Sequence, residues 1–217
     1  MTAILRVVVL GVLVVSPSAF AQRFALGEGL LVRLEPGYAL PSLDAERIQS
    51  QTRLPPGEVK SLLSDHTPSA PGATLVLGYN IKGHATVAAA LSATGWDLAT
   101  SQRGGAGFAA LEVSWHPLQL SPALHPRRYD VSVFGGAGYF VLGEQRALTG
   151  LNLQAGLRAE YFVTNWLSLG GAVRYISLQA NEYVEDWNGN VRQELPEGSG
   201  GSVVIPSLTI AVHAPLG

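Results

Sequence analysis

The sequence predicts an all-β fold: an eight-stranded antiparallel up-and-down transmembrane β-barrel, preceded by a cleaved signal peptide. The prediction rests on amphipathic segments of period two, on short turns alternating with longer polar loops, and on an export leader. The clearest unit runs from Gly150 to Asn181. Leu151, Leu153, Ala155, Leu157, Ala159 and Tyr161 alternate with Asn152, Gln154, Gly156, Arg158 and Glu160. A tight Val163-Thr164-Asn165 turn follows, and Trp166 starts a second alternating run. Successive strand side chains point to opposite faces, so this pattern makes one wall apolar and the other polar.

The leader comes first. Arg6 precedes an apolar core from Val7 to Val15, then Ser16-Pro17-Ser18 and the small-residue pattern Ala19-Phe20-Ala21. That order is a secretory signal peptide, residues 1–21, with Ala19 and Ala21 marking cleavage before Gln22. The core is too short to span a bilayer, for which a helix needs about 20 residues. Residues 22–217 then form one domain, and they hold no further run apolar and long enough for a membrane helix.

Composition narrows the class. The chain has no Cys, which excludes disulfides, thiolate metal sites and an acylated cysteine. A net charge of −2 with 14% charged residues leaves no basic patch to hold nucleic acid. Low charge and 25 Gly suit a wall whose positions meet lipid or a crowded lumen.

The predicted strands are Leu30 to Leu40, Ala73 to Ile81, Ala85 to Gly95, Gly105 to Trp115, Tyr129 to Leu142, Leu151 to Phe162, Trp166 to Leu178 and Val203 to Ala214. Each is near the 9 to 11 residues a tilted strand needs to cross a bilayer. On one side Lys82-Gly83 and Thr164-Asn165 supply residues that tolerate tight or left-handed backbone. The third connection there, Pro117 to Arg128, is longer and carries Pro117, Pro122 and Pro126. The other side carries loops of about residues 41–72, 97–104, 143–150 and 179–202. Even strand number with short turns on one side and long loops on the other is an outer-membrane pattern, with both mature termini in the periplasm.

Face composition separates a membrane barrel from a soluble one. The more polar face of the third strand is Thr86, Ala88, Ala90, Ser92 and Thr94, without a charge, and the opposite face is Ala85, Val87, Ala89 and Leu91. A soluble barrel would show Lys, Glu and Asp along its outside. Tyr38, Tyr79, Trp115, Tyr129, Tyr161 and Trp166 sit near strand ends, where interfacial aromatic girdles are expected.

Eight strands, the Tyr161-to-Ser168 turn followed by Leu169 and Tyr175, and repeated Gly-aromatic strand ends resemble the small outer-membrane β-barrel superfamily. That group includes the OmpA transmembrane domain, OmpX and OmpW. The likeness covers the chain from about Leu30 onward. It implies a monomeric barrel in the cell outer membrane of a Gram-negative envelope, surrounded by lipid and lipopolysaccharide. One departure is the ending Ala214-Pro215-Leu216-Gly217, where such barrels usually finish on an aromatic residue.

The alternation turns Arg33, Glu35, Glu112, Arg158, Glu160 and Arg174 inward. Three Arg face three Glu. A charge inside a membrane protein is costly unless paired or wet. An eight-stranded barrel encloses an interior just wide enough for side chains. The expected arrangement is therefore a plug of Arg–Glu pairs with Asn80, Ser114 and Gln154, the last taken as tolerant of polar change. The alternative is a charge-lined conducting path. His116 and His213 are expected near the periplasmic rim as surface residues, not as metal ligands.

No catalytic, cofactor-binding or metal residue is assigned, and no cofactor is expected. Ser64-Asp65-His66 is the nearest set to a hydrolytic triad, yet adjacent residues rarely converge in space as nucleophile, base and acid must. Glu182, Glu185, Asp186, Glu194 and Glu197 form an acidic run for which solvated loop charge is the simpler reading than a calcium site. Residues 43–48 and 56–63 have helical spacing, so a short helical hairpin above the barrel mouth is expected.

Three functions follow for such a chain. The leading one is a non-enzymatic structural or interaction barrel, whose loops or periplasmic rim contact an envelope partner such as a motility or secretion assembly. The second is a narrow transporter or channel for small molecules. The third is a lipid-modifying enzyme.

Overall fold

The alternating segments become strands β1 (Gly29–Leu43), β2 (Ala70–Ile81), β3 (Ala85–Asp97), β4 (Arg103–Trp115), β5 (Tyr129–Gly143), β6 (Ala147–Phe162), β7 (Leu167–Val184), β8 (Arg192–Glu194) and β9 (Gly200–Pro215). The computed structural model describes residues 27–43, 70–97, 103–120, 128–143, 147–184, 192–195 and 200–215. The leader, Ser64-Asp65-His66, the expected helical hairpin but for its first residue, Glu185, Asp186 and Glu197 lie outside them.

Every neighbouring pair is antiparallel. β1 to β7 and β9 close on themselves through the β6–β7 and β9–β1 pairings, giving an eight-stranded barrel. Closure leaves no strand edge unpaired around the wall, which hydrocarbon would otherwise penalise. β8 is a three-residue addition that continues along β7 beyond the start of β9.

The strands outrun their predicted ends on the loop side. β1 continues to Leu43, β2 starts at Ala70, β6 starts at Ala147 and β7 runs to Val184. The loops are therefore shorter than residues 41–72 and 179–202, and the second contains β8. Main-chain pairing carries these extensions whatever the polarity of the outward side chains, such as Gln179 against Leu151. β7 also accommodates a bulge: Thr149 pairs with Glu182 while Gly150 pairs with Ala180, so Asn181 has no partner in β6.

The two short turns are built differently. Lys82 and Gly83 have φ of 49° and 72°, and His84 N–H donates to Ile81 O at 3.1 Å. Two consecutive left-handed residues make the type I′ hairpin turn that matches strand twist. The Thr164-Asn165 turn needs no left-handed residue. Its chain reversal is held by the Thr164 hydroxyl, which accepts from Trp166 N–H at 3.3 Å and Leu167 N–H at 3.0 Å.

Outward-facing wall positions below the Asn181 bulge carry no Asp, Glu, Lys or Arg among the described side chains. Leu111, Leu153, Leu157 and Leu208 are all more than half exposed. Of the expected girdle, Tyr38, Trp115, Tyr129 and Tyr161 are exposed on this face, while Tyr79 and Trp166 are half-buried. Tyr139 and Tyr175 also stand exposed there.

Candidate functional site

Where the inner face narrows the chemistry, three layers follow one another from turn end to loop end. The middle layer is charged. Arg33 on β1 grips Glu160 on β6 with Nε to Oε1 at 2.9 Å and Nη2 to Oε2 at 3.0 Å. Beside this pair lies a ring of four. Arg158 donates from Nε to Glu35 Oε1 at 2.6 Å and from Nη2 to Glu112 Oε1 at 2.7 Å. Arg174 donates from Nη2 to Glu35 Oε2 at 2.9 Å and from Nη1 to Glu112 Oε2 at 2.7 Å. Each arginine thus bridges both glutamates, and each glutamate spends one oxygen on each arginine.

The ring has further supports. Arg158 Nη1 donates to Ser114 Oγ at 3.2 Å, and Arg174 Nη1 donates to Gln154 Oε1. The Phe134 ring lies under both guanidinium groups, 3.9 Å from Arg158 Cζ and 4.6 Å from Arg174 Cζ. A cation over an aromatic face is favourable, more so when desolvated. Phe134 can lie there because its cross-strand partner is Gly156, whose added Cβ would collide with Phe134 Cζ and Val173 O. All six charged residues are no more than 3% exposed. Gln154 is not a free lumen position: its carbonyl is engaged by Arg174, so a new positive charge there would face that guanidinium.

The floor, at the turn end, is a polar chain that the sequence reading missed. His116 Nδ1 is 2.6 Å from Asp130 Oδ2, and Gln119 Nε2 donates to Asp130 Oδ1 at 3.2 Å. His116 Nε2 is 2.9 Å from Thr86 Oγ1, whose hydroxyl donates to Asn80 Oδ1 at 2.6 Å. Asn80 Nδ2 lies 3.4 Å from His213 Nδ1, and His213 Nε2 lies 3.0 Å from Ser168 Oγ. His116 and His213 are therefore not rim surface residues; they are 1% and 6% exposed. The signal was present in the sequence. His116 continues the inward parity of Glu112 and Ser114, and Asp130 shares that of Ser132 and Phe134.

Thr86, His116 and Asp130 fall in the line of a hydroxyl, an imidazole and a carboxylate. Each is only 1% exposed, and the threonine hydroxyl proton is committed to Asn80. The hydrogen bonds of the line run to Asn80 at one end and to Gln119 at the other, both within the floor.

The loop-end layer is apolar, contrary to the expectation of one polar face throughout. Phe108, Phe140, Leu142, Leu148, Ile176 and Leu178 pack together inside the barrel. Leu195, just past β8, folds into the same cluster and is anchored by its N–H to Asn181 O at 2.8 Å.

The Arg33–Glu160 pair offers a clean test because its four contacting atoms serve no other residue in the layer. Arg33→Met is expected to cost about 3 to 5 kcal/mol by stranding a buried carboxylate. Arg33→Met with Glu160→Met should recover most of that loss, measured by urea unfolding of refolded barrel.

The barrel is similar in structure to two small outer-membrane barrels. The Neisserial surface protein A superposes with a TM-score of 0.52 at 15% identity, covering 86% of this chain and 97% of that one. The outer membrane protein OprG of Pseudomonas aeruginosa gives 0.53 at 11% identity, covering 89% of this chain and 100% of that one. The chain thus has the fold of the small eight-stranded outer-membrane barrels. No family model and no curated protein matches it.

Proposed function

We propose that this chain is a plugged outer-membrane barrel with a structural or interaction role. In this reading residues 1–21 direct export, the turn end faces the periplasm and the loop end faces outward. The observation that carries it is the doubly bridged ring of Glu35, Arg158, Glu112 and Arg174 across the interior. Such a ring occupies the narrow lumen of an eight-stranded barrel and leaves its charges no reason to admit ions. The apolar cluster above it closes the loop-end half by close packing. The uncharged outer face supports lipid as its surroundings. What remains for function is the two ends, where loops or rim meet a partner in the envelope.

The experiment is electrical. Refolded protein inserted into planar bilayers is expected to give no resolved conductance steps. Reproducible large steps from the unaltered chain would overturn the plug and favour a transporter. Fractionation of producing cells checks the location separately: mature protein found only in the soluble periplasm would remove the membrane reading.

A further inference from the structure

Above the Asn181 bulge, β6, β7 and β8 lie side by side and set three oxygen-bearing residues in one row. Thr149 pairs with Glu182, and Glu182 pairs with Glu194. Directly opposed residues on antiparallel strands share a face, with Cβ atoms about 4.5 to 5.5 Å apart. The alternate residues Leu148 and Tyr183 are buried in the lumen cluster, so this row lies on the outer face. Two carboxylates directly across from each other repel, and neither has an ion-pair partner among the described residues. Nothing in the row itself offsets that repulsion.

The hydroxyl is a second and independent sign. Thr149 is 3% exposed, yet among the described residues its Oγ1 has no hydrogen-bond partner. Burying a hydroxyl unpaired is unfavourable, and it stands directly across from Glu182. A bound cation would satisfy that oxygen and the opposed carboxylates together. Two strand spacings separate Thr149 from Glu194 by about 10 Å. A glutamate side chain, a hydroxyl and two metal–oxygen bonds of about 2.4 Å together span that distance.

We propose that Thr149 Oγ1 and the carboxylates of Glu182 and Glu194 hold a hard divalent cation at the loop-end rim. The donors are all oxygen, which selects calcium or magnesium over softer metals. Calcium suits the row better, because it accepts irregular coordination whereas magnesium demands near-octahedral geometry. Glu194 is exposed, so the remaining positions are open to water or to an anionic group on the outer side.

Equilibrium dialysis of radioactive calcium against the full chain, refolded in an uncharged detergent, tests the site. One saturable ion per barrel is expected, with Kd about 10⁻⁴ to 10⁻³ M as in extracellular calcium modules. Glu182→Gln and Glu194→Gln should each weaken binding at least tenfold, and Thr149→Val should weaken it several-fold while Thr149→Ser preserves it. Heat-modifiable migration on gels confirms that each variant remains a folded barrel. Two controls separate the row from diffuse loop acidity. The pair Glu185→Gln and Asp186→Asn should leave affinity unchanged, and Arg192→Ala should leave it unchanged or tighter. Absence of saturable calcium binding, or binding unaltered by Glu182→Gln with Glu194→Gln, would overturn the proposal.

Discussion

Arg158→Ala is expected to destabilise the barrel by about 3 to 5 kcal/mol, because it strands buried carboxylates. Its guanidinium reaches Glu35, Glu112 and Ser114 and rests on Phe134. Without it, Glu35 and Glu112 must share Arg174 alone. Water entering the vacated volume would relieve part of the loss and open a path, so single-channel conductance should rise from the closed baseline. Arg158→Lys should fall between the two, since an ammonium is a point charge that cannot reproduce the fork of a guanidinium.

Ring and pair then respond differently to a second change. No single glutamate is the partner of Arg158, since Glu35 and Glu112 each also bind Arg174. Arg158→Ala with Glu112→Gln should therefore restore only part of the stability, whereas the Arg33 and Glu160 double change restores most. Urea unfolding of the four single and two double variants, with midpoint and slope together, gives the two coupling energies. A loss below about 1 kcal/mol for Arg158→Ala, with no new conductance, would show that the ring carries no such weight.

Much of the wall was legible because period-two alternation is a local property. The strand centres, the Lys82-Gly83 turn and the inward parity of the six charges all follow from counting residues. Which arginine meets which glutamate does not. Arg33 and Glu160 are 127 residues apart on strands that do not touch, and only the tilt and stagger of a closed barrel bring them level. The loop-end extensions were hidden because Gln179 and Asn181 look like loop residues while their backbones belong to β7. The apolar layer was hidden for a related reason. Phe140 and Leu142 sit on the inner parity, yet apolar side chains there read as ordinary strand composition until the fold shows which way they point, and Leu148 falls in the predicted loop of residues 143–150. His116 lies one residue past the predicted end of the fourth strand, where a rim position is expected, although the parity of β4 runs through it into the floor.

Leu157→Arg is expected to be the most damaging change on the outer face. Leu157 is 57% exposed and pairs with Val133 on β5 and Val173 on β7, so it stands in an apolar band near the middle of β6. An arginine on the lipid face near the bilayer midplane costs about 2 to 4 kcal/mol, falling to about 0 to 1 near the interface. Val163 is on the same face of the chain, six residues nearer the turn end and 40% exposed. Val163→Arg should therefore be nearly silent. Both variants refolded into lipid vesicles and unfolded in urea should differ by about 1 to 4 kcal/mol, which is the depth dependence expected of a bilayer. A wall that met water would give the opposite result, because exposed arginine in water is harmless and breaks up an apolar patch. Equal stability of the two variants would remove lipid from the outer face, whatever the lumen does.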